Sequence, residues 1–158
     1  MSSSQDRTIL ITGATGGIGL QSAQGLAKTG ARLLITGRNP ERGEAAVQEI
    51  RDRTGNPNVV FVQGDLSSIG GIDRLAREVL TKANTIDVLV NNAGYLGREL
   101  LRSEDGLEMH FAVNVLAPWR LTHALLPALR NADAARVLNV TGGDKPARVD
   151  PDLSLIHI

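Results

Sequence analysis

One unit recurs along the chain and constrains the fold more than anything else: a short apolar run, a turn, an amphipathic stretch and a stop. Its first copy opens with "TILIT" (Thr8 to Thr12), passes through a glycine-rich turn, and continues in "GLQSAQGLAKTG", where Leu20, Ala23 and Leu26 recur at helical spacing before Gly30. The second copy begins with "ARLLIT" (Ala31 to Thr36), after which Asn39-Pro40 supplies an N-cap and a first-turn proline for a helix through about Arg53. "NVVFVQ" (Asn58 to Gln63) starts the third, with Ser67 or Ser68 as cap of a helix that buries Ile72, Leu75, Ala76 and Leu80. "IDVLV" (Ile86 to Val90) and "ARVLNV" (Ala135 to Val140) are the fourth and fifth strands. The helical stretch between them, from about Leu107 to Leu129, should kink at Pro118. Near-continuously apolar strands separated by helices predict an α/β, doubly wound parallel sheet covered on both faces.

Bulk properties narrow the function. A chain of 158 residues is the size of one domain, and 42% hydrophobic against 22% charged residues is the balance of a folding protein. Seventeen basic and 17 acidic residues cancel, so no global field favours nucleic acid or an anionic membrane. The absence of cysteine removes disulfides, thiolate metal sites and a cysteine nucleophile, and His110, His123 and His157 form no close ligand pair, so no metal is expected. No leader or spanning stretch is visible, which makes the cytoplasm the expected address.

In such a sheet the chemistry lies on loops at the carboxyl ends of the strands. The first, "TGATGGIG" (Thr12 to Gly19), sets Gly13, Gly17 and Gly19 between strand and helix. Glycine there permits a tight turn and close approach of backbone to a pyrophosphate, whose charge the helix N-terminus favours. A nucleoside triphosphatase P-loop would need Gly-Lys-Ser/Thr, whereas Lys28-Thr29 follows Ala27 deep in the helix. At the end of the second strand, "LLITGRNPER" has Arg38 where NAD-binding domains usually carry a carboxylate for the ribose 2′-hydroxyl. A guanidinium suits a 2′-phosphate, so NADP(H) is preferred over NAD(H), and an S-adenosylmethionine methyltransferase, which wants that carboxylate, is disfavoured.

Four ordered motifs, "TGATGGIG", "GDLSS" (Gly64 to Ser68), "DVLVNNAG" (Asp87 to Gly94) and "FAVNVLAPWRLT" (Phe111 to Thr122), resemble the short-chain dehydrogenase/reductase family from Arg7 to about Asp152. The stretches "GRNPERGEAA" and "TIDVLVNNAGYLGRELLRSEDGLEMHFAVN" look closest to its retinol-dehydrogenase-like branch, which acts on alcohols or carbonyls. The resemblance implies a Rossmann domain over residues 1–152, with five strands of the usual seven, and a full-length homo-oligomer. It implies that Gly13, Thr15, Gly17, Ile18 and Gly19 line the phosphates and ribose of the cofactor and that Arg38 faces the 2′-phosphate. Asp65 and Leu66 would contact adenine, Asp65 also serving as a helix-entry cap, while Asn92, Ala93 and Gly94 wall the cofactor's middle. Asn91 serves the sheet more than the cofactor. Asn114 matches the catalytic asparagine that holds a water in a proton relay; Tyr95 is a substrate-side or packing residue.

Two departures stand out. The family's proton donor is the tyrosine of Tyr-x-x-x-Lys; here the only tyrosine is Tyr95, four before Glu99, and the only lysine beyond it is Lys145. The family serine of "NVSS" is met by "NVTGG", with Thr141 at the first serine position and Gly142 at the second. Relatives run through a segment like "ARVDPDL" (Ala147 to Leu153) before their tyrosine, so an N-terminal fragment that stops short of its proton donor is expected, with about 100 or more residues to come. The tail 153–158 is then a terminus introduced by cloning or sequencing. Such a fragment should expose one sheet edge and the helix face around Leu116, Leu121, Leu125 and Leu126. A dinucleotide-binding module without catalysis is the other reading.

Overall fold

A computed structural model describes residues 7–142. Strands β1 (Thr8–Ile11), β2 (Arg32–Gly37), β3 (Val59–Gln63), β4 (Val88–Asn91) and β5 (Arg136–Asn139) form one sheet in the order β3-β2-β1-β4-β5, every pair parallel. After β3 the chain crosses the sheet to place β4 on the other side of β1. The strand order therefore reverses between β1 and β4, where an open α/β sheet leaves a crevice at its carboxyl edge. The predicted α/β class and five parallel strands are what the chain builds; the segment "ARVDPDL" and the tail 153–158 lie outside the described residues.

Helices α1 (Gly17–Ala27), α2 (Pro40–Thr54) and α3 (Ile69–Lys82) follow the first three strands. Asn39 caps α2 by accepting the Arg42 N–H at 2.8 Å, Pro40 opens the first turn, and Gly55 closes the helix at φ 71. Ser68, not Ser67, caps α3, and the stripe it buries includes Val79, with Leu80 only partly covered. On α1 the buried line is Gly19, Ala23, Gln24 and Ala27, whereas Leu20 and Leu26 are half-buried. Small side chains on that line let α1 lie close to the sheet. One core layer joins β1, β2 and β4 to α3 and the later helices through Leu10, Leu34, Leu75, Leu89 and Leu121; the other joins the opposite sheet face to α1 and α2 through Ile9, Ile11, Leu33, Ile35 and Ile50.

The stretch after β4 differs from the single kinked helix expected of it. It is divided into α4 (Met109–Phe111), a π-helical segment Ala112–Leu116, α5 (Ala117–Ala124) and α6 (Leu126–Arg130). The irregularity precedes Pro118: the Ala117 N–H bonds the Ala112 carbonyl five residues back, and Pro118 falls in the first turn of α5, where a missing N–H costs nothing. A second break occurs at Leu125, ahead of Pro127 in the first turn of α6. The exposed face also differs. Leu121 and Leu125 are fully buried against the α3 layer, and the apolar residues in water are Phe111, Val115 and Trp119. Four-residue steps place those three on the side of the helix away from α3. Among the described residues β5 pairs with β4 alone and is exposed along its whole length.

Candidate functional site

The carboxyl ends of β1, β2, β3 and β4 surround a cleft of about 830 Å³. Gly13, Thr15, Ile18 and Gly19 line it from the first turn, Arg38 from the end of β2, and Asp65 and Leu66 from the end of β3. Asn92, Ala93 and Gly94 form the wall after β4, and Thr141 borders it beyond β5. Gly17 stands outside the wall; it turns the chain at φ 55.

The glycines shape this cleft. Gly13 has φ 66, and a Cβ on it would meet the Ala93 backbone at 2.8 Å. A Cβ on Gly19 would collide with the Gly13 carbonyl and the Asn92 amide. The turn can therefore close on the β4 loop only with bare backbone at both positions. No side chain caps α1 and no acidic residue sits in its first turn, so its leading N–H groups are left for an anion in the cleft.

Thr12, 1% exposed at the end of β1, ties the turn to the β4 loop. Its hydroxyl accepts the N–H groups of Asn92 and Ala93, each at 3.0 Å, and the Asn92 side chain donates back to the Thr12 and Gly13 carbonyls at 2.9 and 3.2 Å. Sequence reasoning passed over Thr12, although a polar residue closing the apolar runs "ILIT" and "LLIT" was a visible signal at both Thr12 and Thr36. Arg42 was also missed: from the first turn of α2 its guanidinium reaches 3.4 Å from the Cβ position of Gly16.

Arg38 is exposed at the cleft, and no ion pair among the described residues involves it. Asp65 is exposed as well, and its Oδ1 accepts both the N–H (2.9 Å) and the hydroxyl (2.8 Å) of Ser67, a turn ahead of the Ser68 cap. Asn91 does bind the sheet: its Nδ2 donates to Asn139 Oδ1 at 2.8 Å and to the Thr122 hydroxyl at 3.3 Å. Its buried Oδ1 has no hydrogen-bond partner among the described residues.

Asn114 lies outside the main cleft, on the π-helical segment, and lines a second one of about 1020 Å³ with Tyr95, Trp119, Asn139 and Thr141. Its amide pairs twice with the Tyr95 backbone, Oδ1 accepting the N–H at 2.7 Å and Nδ2 donating to the carbonyl at 2.9 Å. The side chain thus holds the β4 loop.

A short-chain dehydrogenase family model matches residues 7–146. The chain belongs to the short-chain dehydrogenase family. Retinol dehydrogenase 13 of Mus musculus is 38% identical over 135 residues, covering 85% of this chain and 40% of the relative, and retinol dehydrogenase 11 of Homo sapiens is 38% identical with 42% of its length covered. These relatives support a place in the retinol-dehydrogenase-like branch. The chain spans about 40% of their length. Among solved structures, a metagenomic short-chain oxidoreductase in complex with NADP superposes with TM-score 0.77 at 31% identity, over 92% of this chain and 67% of its own. The Pseudomonas aeruginosa RhlG/NADP complex gives 0.73 at 32% identity, over 87% and 56%.

Proposed function

We propose that this short-chain dehydrogenase chain is the dinucleotide-binding half of an NADP(H)-dependent oxidoreductase acting on an alcohol or carbonyl. The carrying observation is the cleft itself: a bare-glycine turn, uncapped N–H groups of α1 and Arg38, which has no acidic partner among the described residues, face one volume at the strand-order reversal. These features fit a dinucleotide with a 2′-phosphate. The α1 N-terminus would take the pyrophosphate, Arg38 the 2′-phosphate, Leu66 and Asp65 the adenine, and Asn92 to Gly94 the middle of the cofactor. Bound there, the nicotinamide would supply the hydride acceptor or donor. NADP in the two solved relatives supports the same nucleotide.

Asn114 orients the β4 loop with one donor and one acceptor of its amide, and the remaining hydrogen-bonding positions of this exposed side chain are where a relay water would be held. The chain's 158 residues contain no Tyr-x-x-x-Lys, so catalysis by this chain alone is not expected. That absence is also what favours the second reading, a binding module without catalysis.

Titration of the purified chain with NADPH and NADH by nucleotide fluorescence tests the proposal. NADPH should bind more tightly, and Arg38→Asp should weaken NADPH by about 10- to 100-fold, the worth of charge-assisted hydrogen bonds, while sparing NADH. Equal binding of both nucleotides, unmoved by Arg38→Asp, would remove Arg38 as selector. Binding of neither would remove the dinucleotide reading itself.

A further inference from the structure

His110 is buried at 5% exposure in α4, a position where an imidazole needs defined partners. It has three. Its Nδ1 lies 2.7 Å from Glu108 Oε1, its Nε2 lies 3.2 Å from the Gly97 backbone N, and its ring meets the Tyr95 ring edge-on at 4.9 Å between centroids. The Gly97 N–H can only donate, so Nε2 must be the acceptor, and the proton must sit on Nδ1 and point at the carboxylate. One neutral tautomer satisfies every partner.

The Gly97 contact matters because of where Gly97 lies. The segment from Asn92 to Leu96 borders the main cleft, Tyr95 is held from one side by Asn114, and the chain then leaves the site. His110 holds the far end. Asn114 and His110 thus pin the two ends of a short wall, Tyr95 to Gly97, from one irregular helical stretch.

We propose that His110 is a proton-operated latch on this wall: neutral, it holds the Gly97 N–H; doubly protonated, it keeps Glu108 and lets Gly97 go. A second proton on Nε2 sets two donors against each other and ends the Gly97 bond, whereas the Glu108 contact becomes an ion pair. The titratable groups facing the ring are Glu108 from its own element and the Tyr95 phenol from the β4 loop. Burial pushes the Glu108 carboxyl up, but the His110 N–H, the His110 ring and the Phe111 N–H together hold it below its ordinary value. Glu108 is thereby held as a carboxylate, and the proton that ends the Gly97 bond is one added at Nε2. Only the effect on cofactor rests on the proposed function; the latch is a property of the chain without ligand.

A ligand-free test separates the two. Long-range proton–nitrogen spectra of the purified chain at about pH 8 should show His110 protonated on Nδ1 alone; the Nε2–H tautomer would overturn the proposal. Gly97 amide exchange, referenced to the core amide of Leu34 to cancel the intrinsic pH effect, should accelerate about tenfold from pH 8 to pH 5, the loss of one neutral hydrogen bond. His110→Gln offers a carboxamide oxygen that does not titrate, so its Gly97 protection should be independent of pH. Wild-type protection that tracks Leu34 throughout, or a His110→Gln chain with the wild-type pH profile, would show that the ring does not operate the wall. If His110→Gln does not fold, the wild-type tautomer and exchange profile still decide.

Discussion

At the scale of single residues, the site depends on atoms that are missing or on hydroxyls that are doubly used. Thr12→Val keeps the shape of the β1 end but strips the acceptor from the Ala93 N–H, while the Asn92 N–H keeps the Val90 carbonyl at 3.0 Å. Leaving this half-buried donor unsatisfied costs about 1 kcal/mol, so Thr12→Val should lower stability by that amount in urea unfolding, while Thr12→Ser stays near wild type. Gly19→Ala forces a methyl onto the Gly13 carbonyl and the Asn92 amide, both part of the turn's own framework. The turn must open, with a loss of about 1–3 kcal/mol and weaker NADPH binding in the same fluorescence titration. The glycines and Arg38 were legible in the sequence because local turn chemistry dictates them. Thr12, Arg42 and His110 were not, since their partners lie 80 residues away across the sheet, on another loop, or thirteen residues off around a bend.

Elements show the same division between local and long-range control. The α2 boundaries were readable because Asn39, Pro40 and Gly55 act on their own neighbours. The region after β4 was misjudged in two ways: a proline looks like a kink until its place in a first turn is known, and the buried face of α5 depends on where α3 lies. Arg120 of α5 settles part of that docking, forking onto both carboxylate oxygens of Asp73 in α3 at 2.7 and 2.8 Å. The Arg120 hydrogen bonds hold the Asp73 carboxyl below its ordinary value, outweighing burial. A depressed carboxyl stabilises the fold above its unfolded pKa, and that contribution fades as pH falls through the folded one. Asp73→Asn should therefore lower the melting temperature at neutral pH and lose its effect in acid, once the pH has fallen through the depressed folded pKa and the wild-type carboxyl is protonated too. Both side chains remain about a third exposed, so added salt should shrink the difference. Equal destabilisation at both pH values would assign the loss to packing instead.

For the whole molecule, the consequence lies in how the apolar surface is distributed. Val115 and Trp119 on one side and Val137 and Val140 on the other line the second cleft, and Phe111 extends the exposed apolar set along the helix, Trp119 at 58% and Val137 at 40%. A monomeric domain rarely leaves so many large apolar side chains together in water, and β5 ends the described sheet as an exposed parallel strand. Self-association of the purified chain through this face is the expected result. Trp119 is the only tryptophan and reports it directly. At low concentration its emission should be red and readily quenched by acrylamide; as concentration rises, the emission should shift to the blue and quenching should fall in parallel with the growth of sedimentation coefficient. Trp119→Lys combined with Val137→Lys should hold the chain monomeric without unfolding it, because both line this cleft and neither side chain belongs to the buried layers. A monomeric wild type with concentration-independent Trp119 emission would show that this face stays in water, and the charge pair introduced by the double variant would then change nothing but solubility.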